Sequence, residues 1–75
     1  MLDTIINILC DFVEIEPEEI TEDSVLRTDI GLNSLDYVSV AQALEQEYNI
    51  TISNAELTSF KTVGDILNCL NKKIS

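Results

Sequence analysis

The sequence predicts an all-α protein, a small four-helix bundle with three main helices, one short helix and a long loop between the first two helices. Three observations carry this prediction. Apolar residues recur at helical spacing in separate stretches of the chain. Two Gly and one Pro leave room for long regular segments. The alternating pattern at Ile50-Thr51-Ile52 is too short to found a sheet. With 75 residues the chain has room for one domain, spanning residues 1–75. Its 45% hydrophobic content argues against disorder, because enough apolar surface exists to offset chain entropy.

The first helix is expected from about Asp3 to Val13. Leu2, Ile5, Ile6, Leu9 and Val13 form one apolar stripe, which Ile8 and Phe12 widen, and Asp3 is suited to cap its start. Glu14 to Asn33 then reads as an acidic connection. Pro17 discourages a continuous helix, and Val25, Leu26 and Ile30 are expected to tuck onto the core. Loops this long in small domains are usually functional or mobile. Gly31 offers a position for positive φ just before the next helix.

That helix is the clearest, from Ser34 or Leu35 to about Tyr48, and either Asn33 or Ser34 can be its N-cap. Asp36 sits in the first turn, where the helix dipole favours an acid. Tyr37, Val38, Val40, Ala41, Leu44 and Tyr48 share a broad apolar arc, and Leu35 falls outside it. Ile50 and Ile52 are read as buried residues of a tight loop. Ser53 or Asn54 caps a brief helix, Ala55 to about Ser59, with Leu57 and Phe60 facing inward. Thr62 and Asp65 have capping-box spacing before a last helix, Val63 to about Lys73. Its stripe is Val63, Ile66, Leu67, Leu70 and Ile74, and Lys72 and Lys73 suit its C-terminal dipole.

Charge excludes several function classes. Fourteen Asp and Glu oppose four Lys and Arg, for a formal net charge of -10. That balance argues against nucleic acid and against an anionic membrane surface, and favours a basic protein partner. Self-association is opposed by like charge, so a monomer is expected. No apolar run approaches a membrane span, and Asp3 and Asp11 bracket the apolar N-terminal stretch, unlike a signal peptide. Cys10 and Cys69 read as reduced thiols of a cytoplasmic protein. The absence of His removes the usual catalytic base and the commonest metal ligand. No metal site is expected, because the acids lack the order of a calcium-binding loop. No residue pattern points to catalysis.

One constellation stands out, Asp29-Ile30-Gly31-Leu32-Asn33-Ser34-Leu35-Asp36 at a loop-to-helix junction. Ser34 can be merely a cap. It can equally carry a covalent phosphate, which a helix N-terminus favours through its dipole and free N–H groups. With no base nearby to activate the hydroxyl, such a modification must be made in trans by another enzyme.

The stretch Asp29 to Val38, the later run Ala43 to Ile52 and the sequence Lys61-Thr62-Val63-Gly64-Asp65-Ile66-Leu67 together resemble the acyl carrier proteins over nearly the whole chain. The family pattern is D-x-G-x-D-S-L-[DE], a helix ending A-L-E-x-x-[FY], and a T-V-x-D start to the final helix. The resemblance implies that Ser34 accepts 4′-phosphopantetheine from coenzyme A through a holo-acyl-carrier-protein synthase. The arm's thiol would then hold acyl groups as thioesters for acyl-transferring, condensing and reducing enzymes of fatty acid synthesis. Partner enzymes with basic patches would dock on the helix beginning at Ser34, contacting Asn33, Leu35, Asp36, Glu45 and Glu47. Leu26, Ala41, Leu44, Ile52, Leu57 and Phe60 would line the acyl cavity. Leu57 and Phe60 are bulky for such a wall, which suggests short or medium cargo.

Asn33 departs from the family Asp and removes one charge from the synthase contact. Ser39 and Gln42 also stand where many relatives carry an acid and a larger apolar residue. These departures keep open a dedicated carrier for a polyketide or other specialised thioester pathway. A different class is an acidic helical interaction module with no cofactor, in which Ser34 is only a cap.

Overall fold

The computed structural model describes residues 1–74. Four α-helices follow one another: α1 (Leu2–Cys10), α2 (Ser34–Tyr48), α3 (Asn54–Ser59) and α4 (Val63–Ile74). α1 packs on both α2 and α4, and α3 packs on α2. The expected bundle, with one short helix and its longest loop between the first two helices, is what forms.

The core follows the helical stripes. Ile5 and Leu9 of α1 meet Val40 and Leu44 of α2 and Val63, Ile66 and Leu70 of α4. Leu44, Leu70 and Val63 are completely inaccessible. Fully burying one such side chain contributes about 1.5–3 kcal/mol.

α1 differs from expectation at both ends. Met1 takes the N-cap position without a side-chain bond, and Asp3 lies exposed in the first turn. The helix closes at Cys10. The amides of Asp11 and Phe12 bond back to Ile8 and Leu9, which tightens the last turn and leaves Phe12 exposed. The carboxyl end of α2 is closed by Asn49 in the left-handed region (φ 54°), with its N–H on the Glu45 carbonyl. Ile50 and Ile52 are half-buried rather than buried, and Ile74 at the end of α4 is exposed.

The acidic connection is pinned rather than loose. Pro17–Glu19 form a 3₁₀ turn, and Ile20 beyond it is buried. Leu26–Ile30 form a π-type turn, closed by the Ile30 amide on the Val25 carbonyl at 3.1 Å. Asp29 reinforces that turn by accepting from the Val25 N–H at 2.8 Å. Gly31 ends it at φ 87°, the left-handed region that only glycine enters freely. Leu26, Ile30 and Leu32 are all buried, whereas Val25 stays exposed, contrary to its expected place on the core.

Backbone bonds then tie this segment to the start of α4. The Leu26 amide donates to Lys61, the Val63 amide to Ser24, and the Gly64 amide to Glu22 at 2.8 Å. Val25 and Thr62 pair as an isolated antiparallel bridge. A side chain at Gly64 would press its Cβ to 3.2 Å from the Glu22 carbonyl oxygen, so this close approach uses the missing side chain. At the same junction the capping box forms as the sequence predicts. Asp65 Oδ2 accepts from the amides of Lys61 and Thr62 at 2.9 and 3.1 Å, and Thr62 Oγ1 accepts from the Asp65 amide.

Candidate functional site

The π-type turn and Gly31 deliver the chain to the amino end of α2. There Asn33, with extended backbone, takes the N-cap. Its Oδ1 accepts from the Asp36 amide at 2.8 Å, and Asp36 Oδ2 accepts from the Asn33 amide at 3.2 Å. This reciprocal box settles which of the two capping candidates acts. Ser34 is the first residue inside the helix, exposed, and its hydroxyl has no hydrogen-bond partner among the described residues. A cap role would occupy that hydroxyl.

Ser34 opens onto a groove of about 530 Å³ between α2 and α3, lined by Val25, Arg27, Ser34, Tyr37, Val38, Leu57, Thr58, Phe60 and Lys61. Its walls are mostly apolar, with two cations at the rim of an otherwise acidic protein. Ser34, Tyr37 and Val38 stand at i, i+3 and i+4, one face of the helix. Val38, expected in the core, is exposed here because the groove leaves it uncovered. Tyr37 is buried and donates its phenol to the Phe60 carbonyl at 3.3 Å, while the Arg27 guanidinium lies 5.0 Å from its ring centre. Leu35 projects on the other side and is 78% exposed.

The remaining candidates separate into groups. Leu26, Ala41, Leu44, Leu57 and Phe60 meet around an inner crevice of only about 10 Å³, together with Leu32, Tyr37, Val40 and Ile66. Ile52 is half-buried and lies outside that lining. Glu47 is exposed, but Glu45 is half-buried and its Oε2 accepts from the Ile52 amide at 2.7 Å. Periodicity placed Glu45 on the polar face and gave no sign of this bond. Tyr37, Arg27 and Lys61 were not singled out as site residues, although the Ser34-to-Tyr37 spacing already puts those two side by side.

Two carboxylates elsewhere are held in their charged form. The Ser53 amide, and after it the Lys73 ammonium, lower Glu56 to about 2. That ion pair, at 2.9 Å, joins α3 to α4. The amides of Lys61 and Thr62 hold Asp65 below the usual carboxylate range. Burial, and then Glu56, push the Cys69 thiol upward. Among the described residues no cluster could hold a metal ion.

Residues 3–70 match the family model described as a phosphopantetheine attachment site. The chain belongs to the acyl carrier proteins. An acyl carrier protein of Coprothermobacter proteolyticus is 40% identical over 68 residues, covering 91% of this chain and 83% of the relative. One from Clostridium perfringens is 35% identical over 72 residues, covering 96% of this chain and 95% of its own length. A solved structure of a Mycobacterium tuberculosis protein, provisionally assigned as an acyl carrier protein, superposes with a TM-score of 0.84 at 29% identity. It covers 96% of this carrier and 97% of that chain.

The cofactor of this family is 4′-phosphopantetheine, and the junction fits it. A free, exposed hydroxyl stands at a helix N-terminus, where backbone N–H groups and the dipole favour a phosphodiester. The adjoining groove would give an arm attached there mostly apolar walls. When bound, the group supplies a thiol that holds an acyl chain as a thioester. Among the described residues no helix of the carrier is long and apolar enough to cross a membrane.

Proposed function

We propose that Ser34 is the attachment residue and that the protein shuttles acyl intermediates between enzymes of fatty acid synthesis. The observation that carries this reading is the division of labour at the junction. Asn33 caps α2, so the Ser34 hydroxyl is free and exposed beside an apolar groove. Among the described residues no titratable side chain bonds to that hydroxyl, which fits modification in trans by a phosphopantetheinyl transferase. The protein's own part is to present and carry, not to catalyse.

Partners with basic patches dock on α2, in a protein of net charge -10. Leu35 is the apolar contact and Glu47 the freest acid. Asn33 and Asp36 face the same partners from the capping box, and Glu45 acts mainly by fixing the Ile52 turn. Such a surface speeds encounter and still releases quickly. A cytoplasmic monomer suits this traffic.

A specialised thioester pathway is the second reading. Asp36 and Glu45 both spend a carboxylate oxygen on backbone amides, and Asn33 is neutral, so the docking face is weakly charged. A reconstituted fatty acid elongation system separates the two. The primary reading expects the malonyl-loaded carrier to support chain extension, with no product from Ser34→Ala. Loading without extension would transfer the carrier to a specialised pathway.

A further inference from the structure

The groove beside Ser34 and the crevice in the core share three lining residues, Tyr37, Leu57 and Phe60. These three form the partition between the two spaces. On the outer side lies about 530 Å³, and on the inner side about 10 Å³, room for no more than about one water molecule. Tyr37 is the part of the partition that a group attached to Ser34 meets first, one turn along the same face of α2.

Tyr37 is also fixed in place. Its phenol is bonded to the Phe60 carbonyl at the carboxyl end of α3, and its ring carries the Arg27 guanidinium on the loop side. Swinging it aside would leave the phenol without this partner and uncover a buried ring. By contrast, the outer groove is already open, and Val25 and Val38 stand exposed along it.

We propose that Tyr37 is a specificity-determining residue that closes the core to cargo, so that the acyl chain rests in the outer groove between Arg27 and Lys61. This rests on Ser34 being the attachment point. Bulk at Leu57 and Phe60 narrows the wall, but Tyr37 seals it. The preferred cargo is a short or medium acyl group that the groove can cover without the core opening.

The test is nuclear magnetic resonance on the carrier loaded with butyryl or octanoyl pantetheine, in wild type, Tyr37→Ala and Tyr37→Phe. In wild type, the terminal methyl of the octanoyl chain is expected to show Overhauser contacts with Val25 and Val38, and none with Leu44 or Ile66. Tyr37→Ala should move those contacts to Leu44 and Ile66, whereas Tyr37→Phe, which keeps the ring, should leave them in the groove. Contacts from octanoyl to Leu44 and Ile66 in wild type would overturn the proposal whatever the variants do, so it does not depend on Tyr37→Ala folding well. Failure of the protein to gain the arm by mass would overturn the attachment reading and this inference with it. An arm gained with the chain in the core would overturn this inference alone.

Discussion

Replacing Leu35 with Ala tests the docking surface with little disturbance to the fold. Leu35 follows Ser34 directly and is 78% exposed, so it contributes almost nothing to the core. Fully burying a Leu side chain is worth about 1.5–3 kcal/mol. Scaled by its exposure, its burial under a partner is worth about 1–2 kcal/mol, and Ala would forfeit most of that. The expected outcome is a fall in kcat/KM for phosphopantetheinyl transfer of roughly tenfold, since about 1.4 kcal/mol is one decade. Ala is at least as good a helix former as Leu, so Tm should move by no more than about 2 °C. The assay follows arm transfer by intact mass against carrier concentration, with thermal melts of both proteins. A kcat/KM within about twofold of wild type, at unchanged Tm, would refute the reasoning, because an exposed Leu with no partner contributes nothing to docking.

Three further outcomes are expected. Glu56 is lowered from 4.5 to about 2 in the folded protein, so its contribution is fully present above pH 4.5 and is lost as pH falls towards 2. The Tm difference between wild type and Glu56→Gln should therefore be constant near neutrality and shrink across that window, and a difference that persists at pH 2 would contradict it. Gly31→Ala meets no atom of the described residues within 4 Å, so its cost comes from φ 87° alone: about 1 kcal/mol, or a Tm loss of about 6 °C, in melts of the two proteins. A net charge of -10 with a single ion pair among the described residues predicts that added salt raises Tm, and a flat salt titration would count against charge crowding.

The helices were legible because their information is local. Ile5 and Leu9, Val40 and Leu44, and Val63, Ile66 and Leu70 announce their buried faces through spacing alone. Thr62 and Asp65 likewise announce the start of α4. The choice between Asn33 and Ser34 as cap was not legible, because both residue types cap well and they are adjacent. Only the observed Asn33–Asp36 box frees Ser34. Tyr37 showed its periodicity but not its role, which depends on a carbonyl 23 residues away. Val38 has the same apolar signature as its neighbours, yet lies exposed because no side chain of the described residues covers the groove there. The ties from Glu22, Ser24 and Leu26 to the start of α4 run through the backbone and leave no side-chain pattern to read.

The attachment of the arm at Ser34 is tested most directly by intact mass after incubation with coenzyme A, magnesium and a broad-specificity phosphopantetheinyl transferase, with Ser34→Ala and Asn33→Asp alongside. The expected result is a gain of one phosphopantetheine in wild type and in Asn33→Asp, and none in Ser34→Ala. No gain in either wild type or Asn33→Asp, while a standard carrier is modified in the same tube, would contradict attachment at Ser34.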